Sequence, residues 1–300
     1  MAEGSRRYLA YVAETVWGTT PATPALKMLR CTGGAGIKVD RQSLQSQEMR
    51  SDRAVADLRL GNKQPSLEVP FEFSAGSFDD FLEAALFGTW ATNVLKQGVA
   101  RKSFTIEEGF SDLAQYQSLL GAMVNTMSLA VSPNAIVTGS FGLIGKSASA
   151  FGGTPLDASI DPAPTTSPFD SYTGSIKEGG ASVAVVTSLS LSLANGLEAL
   201  FSLFDSAAQR IGAGRANLSG SISAYFDSVA LANKFLSETA SSLEFTLTDG
   251  AGKAYTFLIP RIKYTGANKS ISENKVLVDL PFQALHDSTE ATCLKITRVP

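Results

Sequence analysis

The feature that most constrains the fold of this 300-residue chain is an internal duplication. Residues 104–144 align without a gap with residues 245–285, at a constant offset of 141 positions. The aligned positions keep their apolar character, as in Phe104 with Phe245 and Ile106 with Leu247. Both segments alternate apolar and polar residues, the period of a half-buried strand. The alternative explanation is that any two alternating β-rich stretches align by chance.

Upstream of these segments the similarity continues at an offset of 153 positions, between residues 61–73 and 214–226. Each of these stretches precedes a predicted short helix, at residues 77–88 with Ser77 as its N-cap, and at residues 228–238. The order of strand, helix, hairpin and strand therefore occurs twice. A mainly β chain made of two similar units, each with one short helix, explains this order better than chance does.

Proline and glycine mark the boundaries of the two units. Residues 1–30 are predicted to form an extended arm, because Pro21 and Pro24 lack backbone donors and force the residues before them into extended conformations. Residues 147–175 are rich in Pro, Gly, Ser and Thr and are predicted to be a linker. The two β units are then residues 31–146 and residues 176–300.

Composition excludes several classes of protein. The net charge of −3 and a pI near 5.4 argue against a general nucleic-acid binder, which would carry a basic face. No apolar run approaches the ~20 residues that span a bilayer as a helix. The amino terminus has two arginines but no continuous apolar segment, so no signal peptide is expected.

The sequence contains no arrangement typical of catalysis or of metal binding. His286 is the only histidine, and the two cysteines are too far apart in sequence for a zinc motif. Two acidic pairs, Glu107–Glu108 and Asp79–Asp80, could suggest the paired carboxylates of a glycosidase. The first pair ends a predicted strand and the second lies in the first turn of a predicted helix, where acids favour the helix dipole. We expect no enzyme activity, no cofactor and no metal.

Two segments are candidates for contacts between molecules. The arm carries a tryptophan, Trp17, which needs an apolar surface to lie on. Residues 38–63 alternate positive and negative charges and are poor in large apolar side chains. This second segment is either a solvated loop or a contact surface of mixed sign, and long loops in compact domains are commonly functional.

The chain resembles the tail tube proteins, or major tail proteins, of bacteriophages with long non-contractile tails. The resemblance rests on YVAETVWGTTPATPALKMLRCTGG in the arm, on EMRSDRAVADLRLGNKQPSLEVPFEFSAGSFDDFLEAALFG and on GRANLSGSISAYFD. It implies two tandem tail-tube-like β-sandwich or half-barrel units that contribute to a ring-shaped β-barrel. Such rings stack into a tube, and the genome passes through its channel into the host cell.

The resemblance also implies which residues make contacts. In the arm these are Glu14, Trp17, Pro21 and Pro24, at an interface between subunits; the alternative is that Trp17 packs on its own chain. In the loop that would stack one ring on the next, they are Arg41, Glu48, Arg50, Asp52, Arg53, Asp57 and Arg59. An acidic protein suits the channel, because acidic walls repel phosphate.

The implied partners are further copies of this chain, other tail proteins (tape measure, terminator and distal tail protein) and DNA that passes without specific binding. The protein would be made in the host cytoplasm and would reside in the virion tail. If a ring holds six tail-tube folds, a duplicated chain predicts a trimer with pseudo-sixfold symmetry; the alternative is a hexamer of single elaborated domains. A tail terminator or connector ring, or a two-domain β-sandwich binding module, are the alternative functions.

Overall fold

The computed structural model describes residues 3–34, 36–183, 185–226 and 230–299. Strands make up 52% of the chain and helices 5%, which confirms the predicted mainly β fold. Most strands join one large antiparallel sheet system, and the described part of a single chain does not close into a barrel. Neither helix in the described residues has the length and apolar character needed to cross a bilayer.

The described residues of the first half form nine strands and one helix after a 3₁₀ turn at Gly4–Arg6. The strands are β1 Arg7–Ala13, β2 Lys27–Met28, β3 Lys38–Gln45, β4 Leu58–Glu72, β5 Val94–Lys96, β6 Phe104–Phe110, β7 Gln115–Val131, β8 Thr138–Ile144 and β9 Ser147–Ala148, and the helix is α1 Asp79–Leu86.

The second half holds eleven strands and one helix in its described residues. The strands are β10 Gly174–Glu178, β11 Ala181–Ser182, β12 Val186–Ala194, β13 Leu197–Leu200, β14 Arg210–Ala213, β15 Asn217–Tyr225, β16 Ser241–Thr248, β17 Ala254–Tyr264, β18 Asn268–Ile271, β19 Val276–Ala284 and β20 Lys295–Val299, and the helix is α2 Ala230–Leu236.

The strands of the two halves are paired in the same order. In the first half the order across the sheet is β1, β6, β7, β8, β4 and β3. In the second half it is β10, β16, β17, β19, β15 and β12. The central pairs are buried in both halves: Val69 lies opposite Phe141 in one half, and Ile222, which aligns with Val69, lies opposite Leu280 in the other.

The two halves are joined by β12, which pairs with β7 as well as with β15. Its register places Leu189 opposite Val131 and Ala194 opposite Thr126. The halves also share one hydrophobic core. In that core the ring of Phe73 lies 5.4 Å from Phe169 of the predicted linker and 5.9 Å from Phe257.

The predicted start of α1 is wrong. The helix begins at Asp79 after Phe78, and no side chain caps it. The hydroxyl of Ser77 instead lies 2.7 Å from that of Ser74, and both lie near the guanidinium of Arg30. Residues 227–229, where the second predicted helix starts, lie outside the described residues; α2 covers the rest of that prediction except its last two residues.

Candidate assembly surfaces

The arm begins as a regular strand and then runs along its own chain. β1 pairs with β6 over seven residues. Beyond β1, the backbone N–H of Leu26 donates to the Asp157 carboxylate at 2.9 Å, and that of Met28 donates to the Asp161 carbonyl oxygen at 2.8 Å. The arm therefore lies beside the 147–175 segment of the same subunit.

Glu14 fixes the point at which the arm leaves the sheet. Its carboxylate accepts hydrogen bonds from the backbone N–H groups of Gly18 at 2.7 Å and Gly121 at 2.8 Å. It also accepts from the hydroxyls of Ser103 at 2.7 Å and Thr105 at 2.8 Å. Four donors on one half-buried carboxylate hold this part of the arm in a single conformation.

Trp17 is half-buried against the same subunit. Its indole N–H donates to the carbonyl oxygen of Gly121 at 3.1 Å, and the ammonium of Lys146 lies 5.0 Å from the ring centroid. The ring packs on a small apolar cluster of Met123, Ile144, Leu197 and Ile211. Pro21 and Pro24 are also half-buried. In the single subunit Trp17 thus contacts its own chain, and a role for the arm between subunits stays a prediction.

The charged segment forms a long hairpin, made of β3, β4 as far as Ser66, and the connection 46–57. The seven charged residues predicted for ring stacking are all exposed on it: Arg41, Glu48, Arg50, Asp52, Arg53, Asp57 and Arg59. Arg50 binds Asp52 through two hydrogen bonds of 3.0 and 2.8 Å, which lowers the pKa of that carboxyl. Exposed pairs of this kind contribute little to folding, so these charges remain available to a partner.

The long hairpin also exposes large apolar side chains, which the sequence analysis missed. Met49 is 96% exposed and Val55 is 57% exposed. Others on the hairpin are Val39, Leu44, Leu58 and Leu60. Exposed apolar side chains grouped among charges are typical of an interaction surface. These apolar residues are visible in the sequence, but charged and polar residues separate them. They therefore do not form the continuous apolar run that would have indicated a contact surface.

A short hairpin occupies the corresponding place in the second half. It consists of β13, β14 and the connection 201–209. Along the chain it connects the paired strands β12 and β15, just as residues 46–57 of the long hairpin connect the paired strands β3 and β4. At its tip Leu203 is 84% exposed and Phe204 is fully exposed, with a φ of +68°. The two hairpins touch, because the backbone N–H of Lys63 donates to the Ser206 carbonyl oxygen at 2.8 Å.

One face of the central sheet is lined by serine. We call it the serine face; across it Ser140, Ser128, Ser192 and Ser219 lie opposite one another on successive strands. Its other serines are Ser188, Ser190, Ser221 and Ser223, and its charged residues are Glu68, Glu72 and Asp279. The segments that form it, residues 68–72, 126–130, 138–142, 188–194, 217–225 and 277–283, contain no Lys or Arg. Cations lie at its margins, as Lys38 and Lys263 do.

The acidic pairs have structural partners. Glu107 and Glu108 are consecutive in β6, so their side chains point to opposite faces of the sheet. Glu107 accepts from the Tyr8 hydroxyl at 2.8 Å, and Glu108 accepts from Arg7 and from the backbone N–H of Ile37. Two carboxylates on opposite faces cannot act together on one glycosidic bond.

The carboxylates of the second acidic pair, Asp79 and Asp80, also bind side chains of the same subunit. Asp79 binds Arg298 and the Tyr255 hydroxyl, while Asp80 accepts from the Tyr11 hydroxyl at 3.0 Å. Among the described residues, no group of three or more His, Cys, Asp and Glu side chains is placed to hold a metal ion.

Comparison with known families identifies the fold. The family model described as phage tail tube protein matches residues 4–284. The matched range includes the arm from residue 4, both hairpins and all segments of the serine face, and it confirms the resemblance found in the sequence. The comparison with curated proteins gives no match.

Proposed function

The chain belongs to the phage tail tube protein family, a structural component of the virion tail, and we propose that it assembles into stacked rings that form the tail tube. The observation that carries this proposal is the strand order that occurs twice in one chain. A subunit with two similar sheets side by side would supply an arc of such a ring. Its function would then be self-association and passage of the genome, with no substrate to transform.

The duplication supports a trimeric ring. If each ring contains six tail-tube folds and one chain supplies two, three chains complete it with pseudo-sixfold symmetry. The internal boundaries proposed for the two units are residues 31–146 and 176–300, with residues 147–175 as the connection. A hexameric ring of this chain would instead contain twelve copies of the strand order.

We assign the serine face to the channel. Its side chains are short, so they leave the channel open, and its charged groups are acids, which repel the phosphates of DNA. The opposite face of the same sheet is the hydrophobic core and cannot face water. DNA would pass along such a wall without being held.

The long hairpin is the proposed contact between successive rings, and it would also meet other tail proteins at the ends of the tube. Its mixed charges set the register of the contact, while its exposed apolar side chains supply the buried area. The tape measure, terminator and distal tail proteins are the partners expected there.

Negative-stain electron microscopy of the concentrated protein tests the proposal. Hollow tubes or stacked rings are the expected result, and class averages along the axis separate a threefold from a strict sixfold ring. Isolated rings that never stack would favour a terminator or connector. Monomers under all conditions, including in the presence of an initiator complex from the same tail, would contradict ring assembly.

A further inference from the structure

Two of the strands that have a partner on one side only in the described part of the chain are β3 and β18. They correspond in the strand order to β12 and to the end of β7, which the chain pairs with each other. We propose that one copy pairs its β3 edge, antiparallel, with the β18 edge of the next copy, and that this pairing closes the ring. The inference rests on the proposed ring assembly and adds the surface through which it occurs.

The internal junction between β12 and β7 serves as the template. β12 pairs with β15 on one side and with residues 126–131 of β7 on the other. Those residues of β7 lie in turn beside β8. The junction therefore joins β12, the outermost strand of the second half, to the C-terminal part of β7 in the first half.

β3 is the counterpart of β12. It pairs with β4, which is the counterpart of β15 in the shared strand order, and its other edge has no partner among the described residues. Val39 lies opposite Pro65 in this pair, as Leu193 lies opposite Leu218 in the other. All eight residues of β3 are exposed, whereas Leu189, Leu191 and Leu193 of β12 are buried.

β18 is the counterpart of the β7 segment. It follows the long second strand of a hairpin and pairs with β19, as residues 126–131 continue β7 and pair with β8. The other edge of β18 has no partner in the described part of the chain, and its four residues are exposed. Ile271 is 77% exposed, although it continues the sheet.

Open edges of this kind are unfavourable in a soluble subunit, because they present unpaired N–H and C=O groups. β3 and β18 are different strands, so the contact is heterologous and joins copies head to tail. Repetition of the internal geometry at each such contact makes a closed ring of alternating first and second halves. The exposed Val39 and Ile271 would become buried at this contact.

Disulfide cross-linking tests the pairing directly. Val39→Cys is combined in one chain with each of Asn268→Cys, Lys269→Cys, Ser270→Cys and Ile271→Cys, so that the scan covers every register of β18. Under oxidation at least one combination is expected to give a covalent ladder that ends at the size of one ring. Wild-type protein controls for Cys31 and Cys293, and Val39→Cys with Leu113→Cys controls for collisions between exposed residues.

A mixture of two single variants tests the head-to-tail character. Val39→Cys protein mixed with Asn268→Cys protein, or with the single variant that scores best, is expected to give covalent dimers, and neither protein alone should. Asn268 is the first choice because Leu193, the counterpart of Val39, lies opposite Met127, which aligns with Asn268. Dimers from one variant alone would overturn the heterologous pairing. Rings or tubes seen by microscopy without any cross-link in the scan would overturn the pairing and leave the tube function standing. The absence of both rings and cross-links would overturn both.

Discussion

The indole N–H of Trp17 donates to the carbonyl oxygen of Gly121 at 3.1 Å, while the backbone N–H of the same glycine donates to Glu14 at 2.8 Å. Both polar backbone groups of Gly121 therefore bind the arm. Gly121 has a φ of +65°, and an added Cβ would lie 2.8 Å from the indole nitrogen. The arm is thus fitted to this one turn of the first sheet, and through Leu197 and Ile211 the tryptophan also supports the short hairpin.

Trp17→Ala should lower the free energy of unfolding by about 2 kcal/mol, since Trp17 loses a hydrogen bond and an apolar contact but is only half-buried. Urea denaturation of the unassembled subunit measures the change. Val16→Ala is the matched control, because the neighbouring Val16 is 64% exposed and its truncation should change stability by less than about 0.5 kcal/mol. An unchanged stability in Trp17→Ala together with a loss of tubes would instead place the tryptophan between subunits.

Alkaline pH should destabilise the fold through tyrosines that are bound to carboxylates. The hydroxyls concerned belong to Tyr8, Tyr11, Tyr255 and Tyr264, and they donate to Glu107, Asp80, Asp79 and Glu178 respectively. Burial, with the neighbouring carboxylates, raises the pKa of each tyrosine well above its ordinary value of 10.0. The folded state therefore keeps protons that the unfolded state loses above that pH, so stability is full below pH 10 and falls as pH rises further.

Tyr264→Phe measures one part of this effect. Above pH 10 the free energy of unfolding should fall less steeply with pH in this variant than in the wild type. The two slopes should differ by about 1.4 kcal/mol per pH unit, because the variant lacks one group that binds a proton only in the folded state. Urea denaturation at a series of pH values from 8 to 11 gives the slopes. Tyr172→Phe is the control for the substitution itself, because Tyr172 is 71% exposed and its hydroxyl binds the amide of Asn134, not a carboxylate. Equal slopes for Tyr264→Phe and the wild type would contradict the assignment.

Much of the fold follows from local pattern, and the parts that were missed depend on distant contacts. The alternation SLSLSL in β12 correctly placed its leucines inside and its serines outside. That these serines meet Ser128 and Ser219 on adjacent strands could not be predicted, because the pairings join residues far apart in sequence. The strand order in each half is likewise set by pairing between distant segments.

The wrong helix start has the same origin. Ser77 has the residue type and the position of an N-cap, but its hydroxyl is used by Ser74 and lies near Arg30 from the arm. The predicted linker contributes Phe169 to the core, where it contacts Phe73 and Tyr255, although its composition resembles that of a loop. A single phenylalanine among prolines and serines has no periodicity that would reveal its burial.

Met49→Asp should block stacking of rings without weakening the subunit. Met49 is 96% exposed in the single chain, so a charge there costs little in folding but would be desolvated at a contact between rings. Electron microscopy and sedimentation distinguish rings from tubes. Val99→Asp is the matched control, because Val99 is 93% exposed outside the long hairpin and should leave tubes intact. Similar tubes from both variants would remove the hairpin tip from the stacking contact.

Ser190→Lys should convert a channel that repels DNA into one that retains it. Ser190 is an exposed residue of β12 on the serine face, and the substitution adds a cation to every copy of that wall. Cations that neutralise phosphates bind DNA with an affinity that falls steeply with salt. Assembled Ser190→Lys tubes should therefore sediment with short DNA duplexes at low ionic strength and release them at high ionic strength, while wild-type tubes should not bind.

Ser111→Lys makes the same chemical change at an exposed residue in the turn between β6 and β7, at the opposite end of β7 from its serine-face residues. Tubes of this variant should bind DNA no better than the wild type if the channel is where the charge matters. Because the two variants have the same net charge, a difference between them reports position alone. Equal retention by both would mean that DNA binds to added charge on the outer surface, and the serine face would then not be the wall of the channel.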